Sequence, residues 1–228
     1  MKKKICLNYN FLKKILKSNM ILNKDINNFK KMKEKKKDSI SIAFLGPLGS
    51  YSHLATLTYI DNFFFKKKII NVSCKDFSEI FSCITNNIIN LAIVPIYNNY
   101  TGFIKEVLIL LKKNKSFLKI QKRFTIPIQH CLITYRKDIS IHQIEKIFSH
   151  PQSFLQCSFF IKKYPKLVVK NCPSSSYAAH FIKKKSSEKL AAIGNKIAAS
   201  FYNLNVLKKN ISNKIDNKTN FLILKNLF

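Results

Sequence analysis

Beyond residue 39 the chain alternates between short apolar runs and longer stretches whose apolar residues return every three to four positions. Residues 40–45 form a short apolar run closed by Gly46, which predicts a buried strand. The turn Gly46-Pro47-Leu48-Gly49-Ser50 follows, and residues 52–65 carry helical spacing. A second strand is expected at 71–74. Asp76 then stands where a helix cap belongs, with Glu79 three residues on as in a capping box. Phe77, Ile80, Phe81, Ile84 and Ile88 make the apolar stripe of that helix. Residues 91–96 predict a third strand, and a helix follows from about 102 to 112.

Residues 118–135 are mostly extended and interrupted at Pro127, long enough to cross between two lobes. A second alternation comes next: strand near 144–149, helix 153–163, strand 167–171, helix 175–184, strand 190–193, helix 195–202, and a last strand at 220–224. Strands alternating with helices imply an α/β fold with helices covering the sheets. Two such runs joined by an extended crossing suggest two lobes with a ligand-binding cleft between them. The expected lobes are 39–117 plus 205–226, and 118–204.

Residues 1–38 follow a different pattern. They hold thirteen lysines and three acidic residues, with Phe11, Leu12, Ile15, Leu16, Ile21, Leu22 and Ile26 at roughly helical spacing. One or two basic amphipathic helices fit this pattern, and a solvated, frayed extension fits it better. The run from Lys33 to Asp38 reads as a linker.

Composition narrows the function classes. The formal charge of +30 invites a nucleic-acid partner, yet Arg123 and Arg136 are the only arginines. Readers of nucleic acid favour arginine for its bidentate geometry. Abundant Lys, Asn, Ile and Phe fit AT-rich codons better than a specific nucleic-acid role. A hydrophobic fraction of 46% can fill a core. Cys6, Cys74, Cys83, Cys131, Cys157 and Cys172 form no C-x-x-C pair and no zinc-ligand spacing, so a reducing cytoplasm is expected. No apolar run approaches the ~18 residues of a membrane span, so no membrane association is expected.

Several segments then resemble one family. Gly46-Pro47-Leu48-Gly49-Ser50-Tyr51-Ser52-His53 is similar to the G-P-x-G-S/T-Y-S-H that opens prephenate dehydratases. Val94-Pro95-Ile96-Tyr97-Asn98-Asn99-Tyr100-Thr101-Gly102 resembles V-P-I-E-N-S-x-x-G, and Pro127 to Leu132 resembles P-I-x-H-C-L. Ser149-His150-Pro151-Gln152-Ser153-Phe154-Leu155-Gln156-Cys157 fits S-H-P-Q-x-x-x-Q-C. Ser174-Ser175-Ser176-Tyr177-Ala178-Ala179 resembles the family's serine and alanine segment, and Asn217-Lys218-Thr219-Asn220-Phe221 its N-x-T-R-F. The order and spacing of these segments carry the resemblance across residues 40–224.

The resemblance implies two lobes of the periplasmic-binding-protein type, a homodimer, and conversion of prephenate to phenylpyruvate without metal or organic cofactor. It implies Thr219 as the catalytic residue and Asn98, Ser149, Gln156 and Ser175 as substrate-binding residues. His53, His130 and His150 read as structural, His150 by shaping the turn before Pro151. Two departures bear on rate. Tyr97 replaces the family's Glu and Asn220 its Arg, and loss of a charged donor from a site costs about 2–4 kcal/mol of transition-state stabilisation. A slower enzyme is expected. The alternative is an impaired family member that binds an aromatic ligand without turnover. Prephenate and its amino analogue arogenate are not separable from sequence. Family members usually carry a phenylalanine-binding regulatory domain after the catalytic part, and its feedback control is expected to be absent from this chain. Residues 9–37 faintly resemble the last helix of a chorismate mutase and the tether after it, as in a relic of a bifunctional enzyme.

Overall fold

The computed structural model of the protein describes residues 21–31, 39–63 and 68–228. The described chain divides into two compact units. One takes the residues up to Gly46, Ser52–Pro127 and Lys218–Phe228; the other takes Pro47–Tyr51 and Ile128–Asn217.

The first unit is built on strands β1 (Ile21–Asp25), β2 (Ser39–Leu45), β3 (Lys68–Cys74), β4 (Leu91–Asn98), the short β5 (Gly102–Phe103), β6 (Leu118–Pro127) and β12 (Lys218–Asn226). Their order is β1-β3-β2-β4-β12-β6, with β5 hung on β4. The first four of that order are mutually parallel, which requires crossover connections. Helices α2 (Tyr51–Phe63) and α3 (Phe77–Thr85) supply them. β12 runs antiparallel to both its neighbours, β4 and β6. The capping expectation at α3 is met on its first half: Asp76 accepts from the Glu79 N–H at 2.7 Å. The Glu79 carboxylate reaches back to the Lys75 N–H at 2.8 Å, one residue before the usual partner. Phe77, Ile80, Phe81 and Ile84 are buried, with Ile88 packed against the same cluster. Each such side chain contributes about 2 kcal/mol by leaving water. Helix α4 (Lys105–Lys113) also packs on this unit, after β5 has used the first residues expected to be helical.

The amino-terminal expectation needs correction. Residues 21–25 are a strand, paired parallel to β3 from Ile21–Ile69 to Asp25–Ser73. Helix α1 (Ile26–Lys31) follows and buries Ile26 and Phe29 in the main core. In place of a frayed extension or a helix through these residues, the strand ends at Asp25, which accepts the Asn28 N–H at 2.9 Å and starts the helix. The rest of that segment (residues 1–20 and 32–38), with the expected linker, lies outside the described residues.

The second unit has five strands in the order β11-β7-β10-β8-β9: β7 (Cys131–Thr134), β8 (Lys146–Ser149), β9 (Val168–Asn171), β10 (Leu190–Gly194) and β11 (Asn205–Lys208). Side chains alternate between its faces. Ile133 and Ala192 pack with helices α7 (Ser175–Lys185) and α8 (Lys196–Phe201), whereas Leu132, Ala191 and Ile193 pack on the other side with Cys157. Helices α5 (Pro151–Gln156) and α6 (Ser158–Lys162) occupy the span expected to be one helix; Cys157 separates them. His150 caps α5 by accepting the Gln152 N–H through Nδ1, with Pro151 at the first helical position. The 47–51 loop belongs to this unit. Its Leu48 carbonyl accepts from Ser176 and Tyr202, and its Gly49 carbonyl from Asn195 at 2.8 Å. Gly49 has φ +84°, and a Cβ there would meet Ser176 Oγ at 2.7 Å, so only glycine lets the loop lie this close.

The boundaries differ from those expected. β6 pairs with β12 along its length, from Lys218–Pro127 to Asn226–Leu118, so the chain leaves the first unit at Pro127 rather than at 117. β11 pairs with β7, which keeps residues 205–217 in the second unit.

Candidate active site

Thr219 is the second residue of β12 and stands directly across from Asn98, the last residue of β4. Both are buried. The Asn98 carboxamide can be oriented in one way only. Its Oδ1 accepts the backbone N–H of Tyr100 at 2.9 Å and of Thr101 at 3.0 Å. Its Nδ2 faces the Lys218 carbonyl at 3.0 Å, which can only accept. The same Nδ2 therefore donates to Thr219 Oγ1, at 2.8 Å. Asn99 holds the adjoining backbone: its Oδ1 accepts the Lys218 N–H at 2.7 Å, and its own N–H reaches the Lys218 carbonyl. Two consecutive asparagines at the end of β4 thus clamp the start of β12 and fix the threonine. With Oγ1 accepting from Asn98, the threonine proton has no acceptor among the described residues and is available to a ligand. A hydroxyl that already accepts a hydrogen bond is a stronger donor.

The two departures from the family pattern prove to be one place in the sheet. Asn220 lies across from Tyr97 on β4 and from Thr125 on β6, whose hydroxyl donates to Asn220 Oδ1 at 2.6 Å. Tyr97 packs edge-on against Phe103, with ring centroids 4.9 Å apart. Adjacent strand residues point to opposite faces, so Asn220 and Tyr97 sit on the face away from Thr219 and Asn98. An acid at 97 and an arginine at 220 would stand opposite one another. Here an aromatic and an amide replace both partners together, leaving no unpaired charge behind.

Ser149, Gln156 and Ser175 belong to the second unit, and no hydrogen bond joins them. Ser149 ends β8, fully buried, and its hydroxyl donates to the Ile193 carbonyl at 2.8 Å, tying β8 to β10. Ser175 opens α7 after the Ser174 cap; it is half-buried, and its hydroxyl has no partner among the described residues. Gln156 ends α5 and accepts from His130 Nε2 at 2.7 Å. Reading the sequence as a set of separate motifs missed this contact, because its partners lie 26 residues apart.

The histidines differ in environment. His53, on α2, is fully buried and stacked on Phe44 with centroids 5.1 Å apart. Burial pushes its pKa down to about 3. The unfolded chain binds a proton at the usual 6.5 and the folded chain does not, so stability is complete above pH 6.5 and is lost as pH falls towards 3. This linkage removes on the order of 3 kcal/mol between pH 6.5 and pH 4. His53→Gln is expected to flatten the acid limb of Tm against pH by that amount. A limb as steep as in the wild type would show that His53 does not control it. Among the described residues no three His, Cys, Asp or Glu side chains gather as metal ligands. No helix there is long and apolar enough to cross a membrane.

Comparison with known proteins gives this geometry a setting. The family model for prephenate dehydratase matches residues 42–227. The bifunctional chorismate mutase/prephenate dehydratase of Buchnera aphidicola subsp. Schizaphis graminum (strain Sg) is 40% identical over 187 residues, 82% of this chain and 47% of that protein. The prephenate dehydratase of Methanocaldococcus jannaschii is 33% identical over 184 residues, 81% of this chain and 64% of that one. The chain therefore spans about half to two thirds of the length of these relatives. The crystal structure of prephenate dehydratase in complex with L-Phe from Arthrobacter aurescens superposes with a TM-score of 0.72 at 21% identity, over 83% of this chain and 61% of that one. It shares the two-sheet α/β fold. By the match over 42–227 and by these relatives, this chain is a member of the prephenate dehydratase family.

Proposed function

We propose that the protein converts prephenate to phenylpyruvate, with Thr219 as the catalytic residue. The observation that carries this reading is the fixed direction of the Asn98 amide, which leaves the Thr219 proton to be given away. Prephenate carries a ring carboxylate, a ring hydroxyl and a pyruvyl side chain. The bond between the ring and its carboxylate breaks and carbon dioxide leaves. The electron pair of that bond moves into the ring, and the ring–oxygen bond opposite breaks. The departing oxygen takes one proton and leaves as water. Prephenate plus one proton thus gives phenylpyruvate, carbon dioxide and water.

Hydroxide is a poor leaving group, so a donor at the departing oxygen lowers the barrier most. Thr219 Oγ1 gives its proton to the departing oxygen, the Asn98 N–H holds the charge that develops on Oγ1, and Oγ1 then takes up from solvent the one proton that the overall reaction consumes. Aromatisation drives the step. Asn98, Ser149, Gln156 and Ser175 serve as substrate-binding residues in this reading. Ser175 and the Gln156 amide nitrogen each keep a donor that no described residue uses. The cytoplasm suits the protein, since the five described cysteines are all free and buried thiols.

A second reading, binding of an aromatic ligand without turnover, is favoured by Tyr97 and Asn220. Purified protein incubated with prephenate decides between them. The expected outcome is stoichiometric phenylpyruvate. Saturable prephenate binding without product would establish the second reading, and neither binding nor product would overturn both.

A further inference from the structure

His130 lies at the end of the extended segment before β7 and is buried, between two polar partners from other parts of the second unit. Its Nε2 is 2.7 Å from Gln156 Oε1, and its Nδ1 is 3.1 Å from the Tyr51 hydroxyl. The rings of Tyr51 and His130 meet edge to face at 5.5 Å. An amide oxygen only accepts, so His130 carries its proton on Nε2. Nδ1 then presents a lone pair, and the Tyr51 hydroxyl donates to it. Burial holds the imidazole below its usual pKa, in keeping with the neutral ring this arrangement needs. The direction of every hydrogen bond in the chain Tyr51–His130–Gln156 follows from these partners. The chain ends on the Gln156 amide nitrogen, whose two N–H groups have no partner among the described residues.

We infer that His130, held on its Nδ1 side by the Tyr51 hydroxyl, is a positioning residue for Gln156, so that the Gln156 N–H₂ is aimed at an oxygen of the bound substrate. This rests on the function proposed above. Without His130 the Gln156 amide can rotate by half a turn and present its oxygen instead, which repels a carboxylate or keto oxygen. Tyr51 stands in the Gly46–His53 segment and His130 in the Pro127–Leu132 segment, so the relay gives both a shared task in binding. The oxygens it serves are those of the anionic, oxygen-rich end of the substrate, whose pose sets KM more than kcat.

The test uses the full chain with prephenate and variants at His130 and Gln156. His130→Leu is expected to raise KM about tenfold, the loss of one well-placed hydrogen bond, with kcat within about threefold of wild type. His130→Gln, which keeps an N–H donor near the Nε2 position, is expected to recover most of that loss. In a Gln156→Ala background, His130→Leu is expected to add no more than about twofold, because it acts only through the missing amide. Losses that multiply in that background, or that fall on kcat, would overturn the inference. Selective ¹⁵N-histidine NMR gives an arm independent of turnover. His130 should carry its proton on Nε2 in the wild type and on both nitrogens in a mixture in Gln156→Ala, where the accepting oxygen is gone. A wild-type ring protonated on Nδ1, or a tautomer unchanged in Gln156→Ala, would overturn it. If the wild-type protein made no phenylpyruvate, the functional reading would fall while the spectra still decided the relay.

Discussion

Thr219→Val lowers phenylpyruvate formation by about 10²–10³-fold while prephenate still binds, the size of loss expected when one donor to a developing charge is removed. Valine keeps the shape of threonine and the pairing of β12 with Asn98 and Ile126. It removes only the hydroxyl. The Asn98 amide keeps its bond to the Lys218 carbonyl, so the fold loses about one hydrogen bond, or about 1 kcal/mol. The deficit should therefore appear in kcat, with KM within a few-fold of wild type. Thr219→Ser restores the hydroxyl and should regain most of the rate. An equal loss in Val and Ser variants would point to packing instead of proton donation.

Asn98→Asp should be at least as damaging, for a reason particular to this site. An aspartate keeps the acceptor that holds the Tyr100 and Thr101 N–H groups, so the turn after β4 survives. Its second oxygen replaces the donor facing Thr219. That oxygen can only accept, so it captures the threonine proton and turns it away from the substrate. It also faces the Lys218 carbonyl, acceptor against acceptor. The expected result is a drop of about 10³-fold in kcat with a lowered Tm. Activity within about tenfold of wild type would mean that Asn98 does not set the direction of the Thr219 hydroxyl. Rate measurements alongside thermal melts separate the two effects.

How much of this was legible before folding depends on the range of each interaction. The α3 helix was readable because Asp76, Glu79 and the stripe from Phe77 to Ile88 all lie within a few turns of one another. So was the role of His150, which caps its own helix. Strand β1 was not readable. It exists because Ile21–Asp25 pairs with Ile69–Ser73, nearly fifty residues away, and nothing local separates such a strand from the start of a basic helix. The unit boundary moved for a similar reason: β6 looked like a crossing segment until its pairing with β12 was known.

The candidate site shows the same divide. Thr219 and Asn98 were named one by one from their motifs, but only the register of β12 on β4 shows that one donates to the other. Tyr97 and Asn220 read as two separate losses, and the sheet makes them a facing pair on the other side of the strand from Thr219. That position bears on the expected rate. An arginine at 220 would meet residue 97 before it met anything beside the threonine, so its absence weighs less on catalysis than the sequence alone suggested.

The central claim is that the Thr219 proton goes to the oxygen leaving the ring. The most direct measurement pairs calorimetric binding of prephenate with single-turnover formation of phenylpyruvate, for wild type and Thr219→Val under the same conditions. The account predicts dissociation constants within a few-fold of each other and a chemical step slowed by at least a hundredfold in the variant. A chemical step of wild-type speed in Thr219→Val would contradict it.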